Sequence, residues 1–302
     1  MSFHVTMSFV KQFEATVRLL SQQKGTKLSD AVMQKPITGE EFFVEQLGAT
    51  APVELKDRHG DSPIVSTPHH RRRGTVKDFV WGDMIDKEDE VRMLIDPASS
   101  YVRNASYGMG RTKDDVIIGA FDTTARVGKD GTTTRALPDK QKIATDEISE
   151  STHTGLTWEK LLLARTIMED NDVDLDDPEN QLFILCTPHD VEALLHQTEV
   201  KSADYNTVKA LVQGTVDSYM GFTFKRLSRN RVLADANDDR RAIAWAKSGM
   251  VMGIGADVET NIAKRSDKNF NWYAHMKMTI GAARLEEEKV VQILCRPDTY
   301  PS

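Results

Sequence analysis

Apolar residues recur at helical spacing at the start of the chain: Val10, Phe13, Val17 and Leu20 share one face over residues 8–22. Gly25 stands just beyond as a stop signal. A helix this short is marginal in water until its apolar face is covered. Residues 1–35 therefore read as an arm that must dock on something. From Pro36 to Asp86 the pattern becomes strand-like. The runs EEFFVEQL, SPIVST and KDFVWGDMI alternate with the polar turns ELKDRHGDSP and HHRRRGT, punctuated by Pro52, Gly60, Pro63, Pro68 and Gly74. This predicts an extended two-stranded excursion, too thin for a core of its own and marginal in isolation. It packs on its own chain or lies on a neighbour.

Asp96-Pro97 opens a helical stretch to about Phe121, with Pro97 at the first helical position. Tyr101, Val102, Ala105, Met109, Val116 and Ala120 form its broad apolar face, with Gly108 and Gly110 in its middle. Lys129-Asp130-Gly131, between Thr- and Val-rich flanks, signals a hairpin. The clearest helix spans residues 156–170: Trp158, Leu161, Leu162, Arg165 and Met168 fall on one face, while Glu159, Lys160 and Glu169 lie off it. An acidic turn, EDNDVDLDDPEN, ends it, and the strand QLFILC follows. Thr187-Pro188-His189-Asp190 then starts a helix, with Thr187 as cap and Asp190 closing a capping-box variant. Ser202 caps a further helix through Val212, and Gly214 stands where a C-terminal glycine belongs.

Beyond this the chain turns to strands: GFTFKRL, AIAWAKSGMVMGIG and VETNIA. Trp272, Ala274, Met276, Met278 and Ile280 then alternate with polar neighbours, and residues 290–295 form a last strand. There is no internal repeat and no low-complexity linker. The fold class is α+β, with helices early and a strand-rich C-terminal half.

Composition narrows the function. The chain has 302 residues, enough for more than one domain. Its formal net charge of -7, from 39 Lys+Arg against 46 Asp+Glu, argues against a dedicated nucleic-acid binder. It does not argue against a protein that encloses nucleic acid without gripping it. The N-terminal segment has no apolar core of signal-peptide type. No run approaches the roughly 20 apolar residues a membrane helix needs. Cys186 and Cys295 each sit in an apolar strand, which reads as two buried thiols in a reducing compartment.

Candidate chemistry is sparse. Asp170, Asp172, Asp174, Asp176 and Asp177 begin like a calcium loop, but Leu175 stands at the sixth position and Gln181 at the twelfth. A solvated acidic turn is the better reading. Gly253-Ile254-Gly255 lacks the third glycine of a dinucleotide loop, since Val258 stands there, and reads as a turn between strands. Close backbone approach is the alternative. The segment from Arg284 to Lys289 is dense in charge and reads as a turn with surface ion pairs. No zinc-ligand spacing, phosphate loop or nucleophile elbow is present, so no catalytic, cofactor or metal residue is named. His69-His70-Arg71-Arg72-Arg73 is the one basic cluster. It reads equally as a phosphate or acidic-surface contact and as an exposed loop tip that discourages edge pairing. A third reading has it meet an acidic patch such as residues 170–177 on a neighbouring subunit.

Four stretches in order resemble a known family: IDPASSYVRNASYGMGRTKDDVIIGAF, GLTWEKLLLARTIMEDNDVD, FILCTPHDVEALLHQTEVKSADYNTVKALVQGTVDSYMGFTF and TIGAARLEEEKVV. They are similar to the major capsid proteins of tailed double-stranded DNA phages, with the Hong-Kong-97-type fold, from about residue 96 to 291. The resemblance implies an N-terminal arm (1–35), an extended E-loop hairpin (36–86), a peripheral domain (87–180 and 265–302) and an axial domain (181–264). It leaves residues 97–121 and 156–170 as alternative spine helices. It implies no enzyme activity and no cofactor, but a structural subunit that self-assembles through pentamers and hexamers into an icosahedral shell around phage DNA. Scaffolding, portal and cement proteins are the implied partners. The implied setting is the virion, and the host cytoplasm during assembly. Arg71, Arg72, Arg73 and Trp81 are the candidate inter-subunit contacts. Two alternatives remain at this point: an encapsulin-like compartment shell, which shares the fold, and an α+β enzyme with a site invisible in the sequence.

Overall fold

The computed structural model describes residues 21–54, 62, 64–85, 97–148, 154–196, 218–235, 239–268 and 270–296. The expected helices at 8–22 and 202–212 fall outside these residues, apart from positions 21 and 22, which are irregular. The strands are β1 (Met33–Pro36), β2 (Glu41–Leu47), β3 (His69–Thr75), β4 (Lys77–Ile85), β5 (Ala125–Val127), β6 (Thr133–Arg135), β7 (Lys142–Ile143), β8 (Leu182–Cys186), β9 (Ser218–Tyr219), β10 (Phe222–Arg226), β11 (Arg240–Ala246), β12 (Met250–Arg265), β13 (Asn271–Arg284) and β14 (Val290–Cys295). The helices are α1 (Pro97–Asp122), α2 (Trp158–Asp170) and α3 (Pro188–His196). The expected α+β class holds.

Two compact units divide the chain. The larger takes in the described residues of Lys27–Lys77, Thr112–Gly255 and Thr279–Ser302; the smaller takes in those of Met1–Thr26, Asp78–Arg111 and Ala256–Met278.

The larger unit is organised by a six-stranded sheet in the order β7-β14-β11-β8-β10-β9. Its central strand β8 is apolar at every position and buried on both faces. Side chains alternate across a strand, so β8 sends Leu182, Ile184 and Cys186 to one core, together with Leu161, Ala164 and Met168 of α2. Phe183 and Leu185 go to the other core, with Ile117, Ile118 and Phe121 of α1. Strand β11 divides the same way, with Ala242, Ala244 and Ala246 on the first face and Ile243 and Trp245 on the second. β8 and β10 are parallel neighbours, and α3 lies between them in sequence. At the start of α3 the expected box is present: the Asp190 amide donates to Thr187 Oγ1 (3.3 Å), and the Thr187 amide donates to Asp190 Oδ2 (2.7 Å).

Several expectations change once partners are visible. Residues 27–35 of the expected arm pack on the chain's own core. Leu28, Ala31 and Val32 are buried there, and the Asp114 carboxylate accepts the Lys27 and Leu28 amides at 3.0 and 3.1 Å. β1 pairs in parallel with the first part of β12. β14 pairs with β11, and α2 packs on the same core as β8. Apolar alternation marks these segments as strands and a helix but does not say which sheet they join. Gly253 and Gly255 do not form a turn. β12 runs straight through them, and a Cβ at Gly253 would meet Ile37 and Phe42, so the alternative of close backbone approach is the one observed.

Lys160 is a further correction. Placed off the apolar face of its helix by the spacing, it is fully buried. Its ammonium donates to three carbonyls, those of Thr145 (3.2 Å), Thr154 (3.1 Å) and Leu294 (3.0 Å). Burial pulls its pKa below the ordinary lysine value, against weaker opposing effects from Cys295 and nearby aspartates. The unfolded chain then keeps its proton while the folded chain releases it, so stability rises with pH through the window just below the ordinary value. Two of the three carbonyls have other donors: Thr145 O accepts the Thr154 amide, and Thr154 O accepts the Arg296 amide. Lys160→Met therefore removes a buried charge without orphaning those groups. It is expected to be neutral or stabilising by about 1–4 kcal/mol, and to abolish the rise with pH. Urea denaturation of both proteins from neutral to mildly alkaline pH checks this; an equal slope in the variant would refute it.

In the smaller unit, the far part of β12 turns back into β13 and carries cations over rings. Lys264 Nζ lies 4.6 Å from the Trp272 ring centre, and the Arg265 guanidinium lies 5.3 Å from that of Tyr273. The Lys277 ammonium pairs with Asp78 of β4 at 3.5 Å. Within α1, Gly108 and Gly110 do not interrupt the helix, because Gly110 lies directly against the backbone of Gly25 and Thr26, where a Cβ would not fit.

Candidate functional site

The basic cluster is not a loop tip. It forms β3, which pairs antiparallel with β2 from His69↔Leu47 to Thr75↔Glu41. β5 adds to the free side of β3, and β6 to β5, giving a four-stranded sheet in the order β2-β3-β5-β6. The Lys129-Asp130-Gly131 hairpin expected from sequence connects β5 and β6. Gly131 adopts φ 62°, and the stem of Arg73 occupies the place where its Cβ would be. The stem of the β2–β3 hairpin is closed by the Gly48 amide donating to Pro68 O at 2.8 Å. Residues 64–68, expected as part of a strand, are irregular, and Ile64 is 99% exposed. β4, also expected in this excursion, belongs to the sheet β1-β12-β13-β4 instead.

The strand period separates the three arginines. Arg71 and Arg73 are partly exposed and pair across the hairpin with Glu45 and Glu41. Arg72 points the other way and is 5% exposed. Its two terminal nitrogens donate to the two oxygens of Glu287, at 3.0 and 2.6 Å, in the forked arrangement that makes Arg–carboxylate pairs strong. Glu287 is wholly buried and holds two more guanidiniums: Arg284 Nε lies 3.6 Å from one oxygen and Arg135 Nε 3.4 Å from the other. Arg284, itself 1% exposed, also donates to Phe121 O (2.6 Å) and Arg135 O (3.1 Å). Burial lowers the Arg284 pKa from its ordinary value, and Glu287 opposes that shift. The charged segment from Arg284 to Lys289 is thus only in part a set of surface ion pairs: Lys289 pairs with Glu286 at 3.0 Å near the surface, whereas Arg284 and Glu287 are buried. Its first and fourth residues anchor the β2–β3 hairpin to the body of the larger unit.

Beside this anchor lies a cavity of ≈ 480 Å³ lined by His69, His70, Arg71, Lys129 and Arg135, with Glu45 as the one carboxylate on its wall. Lys129, His69 and His70 are exposed and take part in no ion pair among the described residues. Trp81, the fourth candidate contact, is half-exposed on β4 in the smaller unit beside Val80, which is exposed. The sheet and its register thus bring Arg71, Arg72 and Arg73 together, and Arg72 is occupied within the chain. Sequence reasoning named neither Glu287, Arg284 nor Arg135 as partners of the cluster. No local signal marks them, since Arg72 and Glu287 are 215 positions apart.

Elsewhere, Asp170 ends α2, and Asp172, Asp174, Asp176 and Asp177 lie in the irregular segment after it. Asp174 Oδ1 accepts the Asp176 amide, and Asp177 Oδ1 accepts the Glu179 amide, both at 3.0 Å. Cys186 and Cys295 are free and buried, and burial pushes both thiols up.

The described residues thus give an α+β body and an anchored hairpin that exposes Leu47, Val53, Ile64 and Val65. A family model described as phage capsid protein matches residues 5–296. The chain belongs to the phage capsid protein family. Solved structures give the fold. The capsid of Cyanophage P-SCSP1u superposes with a TM-score of 0.70 at 16% identity, covering 96% of this chain and 94% of that one. The capsid of Ralstonia phage GP4 gives 0.71 at 9%, over 100% and 99%. That of Cyanophage Pam1 gives 0.68 at 14%, over 97% of both. No curated protein matches the sequence. The fold is of Hong-Kong-97 type, and the chain is a structural subunit of a phage capsid shell.

Proposed function

We propose that copies of this chain assemble as pentamers and hexamers into a closed icosahedral shell around double-stranded DNA, in the host cytoplasm, with scaffolding, portal and cement proteins as partners. One observation carries the reading: among the described residues, the far part of the anchored hairpin leaves apolar side chains exposed. Leu47 is 69% exposed and Ile64 is 99% exposed, with Val53 and Val65 exposed beside them. Such surface marks an interaction site on a soluble protein, and a hairpin held at its base by Arg72 and Glu287 presents it in a defined direction. In this reading residues 41–75 are the core of the E-loop, α1 is the spine helix, and the six-stranded sheet with α2 and α3 is the axial domain. Arg71, Arg73 and Trp81 face the neighbouring subunit, while Arg72 holds the strand that carries Arg71 and Arg73. The net charge of -7 fits a wall that holds DNA without binding it in a sequence-specific way.

The test is sedimentation of the expressed chain, alone and with scaffold, followed by negative-stain microscopy of the heavy fraction. Shells, tubes, or rings of five or six are expected. A chain that stays monomeric at high concentration with scaffold present would refute the reading.

A further inference from the structure

We propose that the cationic hollow beside the hairpin anchor receives the acidic turn, residues 170–177, of a second copy of this chain. The inference rests on the shell reading above and names the contact chemistry of one interface within it.

Both halves are visible in the single chain: on the hollow's wall Arg71 and Arg135 pair with Glu45 and Glu287, while His69, His70 and Lys129 take part in no ion pair among the described residues. The hollow is a concave site of ≈ 480 Å³ with His69, His70, Arg71, Lys129 and Arg135 on its wall. It lies on a protein whose net charge is -7, so a wall of this sign stands against the average surface. Lys129 projects from the β5–β6 turn, exposed and in no ion pair among the described residues. The acidic turn is its complement. Asp170, Asp172, Asp174, Asp176 and Asp177 put five carboxylates within eight residues, and none pairs with Lys or Arg among the described residues. Two of them are spent shaping the turn, since Asp174 and Asp177 accept backbone amides. That leaves Asp170, Asp172 and Asp176 directed outward on a defined scaffold. Pro178 and the short 3-10 turn Pro178–Asn180 stiffen its far side.

Two different patches that fit each other make a heterologous contact, which repeats around a ring or along a shell where a self-complementary patch would stop at a dimer. Duplex DNA is the poorer occupant. Its phosphates call for a stripe of cations, whereas here one concave site has the Glu45 carboxylate on its wall.

Charge exchange tests the contact in the full-length chain. Lys129→Glu and Asp176→Lys alter exposed side chains, so each subunit should keep its thermal melting temperature. Each alone is expected to lower the rate of shell formation, followed by light scattering at low salt, by about tenfold or more. Combining the two should restore the rate to within roughly threefold of the unaltered chain, because opposite charges face each other again. The milder pair Lys129→Ala and Asp176→Asn should act in the same direction more weakly, and serves if a reversal disturbs folding. Single reversals that assemble at the normal rate, or a combination no better than its parents, would overturn the proposal while leaving the shell reading intact. So would a Lys129→Glu variant that lowers DNA retention while Asp176→Lys has no effect, which would assign the hollow to phosphate. An unaltered chain that forms no assembly would overturn the shell reading and this contact with it.

Discussion

Replacing Glu287 with Ala is expected to destabilise the subunit by about 3–5 kcal/mol, the usual loss when one partner of a buried ion pair is removed. The reason is what remains behind. Arg72 and Arg284 are 5% and 1% exposed, and without Glu287 they keep their charges in a site that water does not reach. Arg284 retains two carbonyl acceptors; Arg72 loses both of its carboxylate bonds. The intact cluster need not be a large net source of stability, because desolvating the ions offsets much of their attraction. Its removal is costly all the same. Urea denaturation of the dissociated subunit measures the loss. Combining Arg72→Ala with Glu287→Ala should cost less than the two single losses added together, by about 1 kcal/mol or more. A strictly additive pair, or a Glu287→Ala loss below about 1 kcal/mol, would show that the anchor is not coupled. The loss should also be local: amide exchange in β2 and β3 should speed up in Arg72→Ala more than in β8 and β11. Because the hairpin carries the exposed apolar residues, a loosened base should impair assembly beyond what the fall in stability predicts.

Trp245→Ala is the second large effect, at about 3–5 kcal/mol. Trp245 is wholly buried on β11 at the meeting point of three segments. Its ring centre lies 4.7 Å from that of Phe121 in α1 and 5.9 Å from that of Phe183 in β8, and its indole nitrogen donates to Ala31 O at 2.8 Å. Truncation opens a cavity and leaves a buried carbonyl with one donor fewer. Trp245→Phe keeps most of the volume and removes only the donor, so a loss of about 1–3 kcal/mol is expected. The difference between the two variants, read from melting of the subunit, separates packing from hydrogen bonding. Equal losses would mean that the bond to Ala31 dominates the site.

Much of the local structure was legible because it is written in periodicities. The apolar LFILC segment predicted a strand, and β8 is one, buried at every position. Thr187 and Asp190 predicted a helix start three positions apart, and both reciprocal bonds are present. The Lys129-Asp130-Gly131 turn, Asp96-Pro97 at the head of a long helix, and the alternation from Trp272 to Ile280 likewise correspond to observed elements. The family resemblance rested on short segments in order, and the match over residues 5–296 is what they announced.

The charged and glycine positions were read less well. Lys160 was placed off the apolar face, the cluster around Glu287 was placed in solvent, and Arg71, Arg72 and Arg73 were treated as one patch. The reasons differ. A lysine can be buried when carbonyls from distant segments converge on its ammonium, and those of Thr145 and Leu294 come from outside its helix. A strand period of two divides three consecutive arginines between opposite faces, but only once the segment is known to be a strand. The chain by itself thus determined the elements, their buried faces where these are apolar, and the family, since each is encoded by residues close in sequence or by their order. The tertiary structure alone decided which strands share a sheet, which charges lie inside, and that Arg72 meets Glu287 across 215 positions. Hydrophobic burial depends on the type of a side chain, and composition carries that; ion pairing depends on which distant partner the fold delivers, and no local pattern records it.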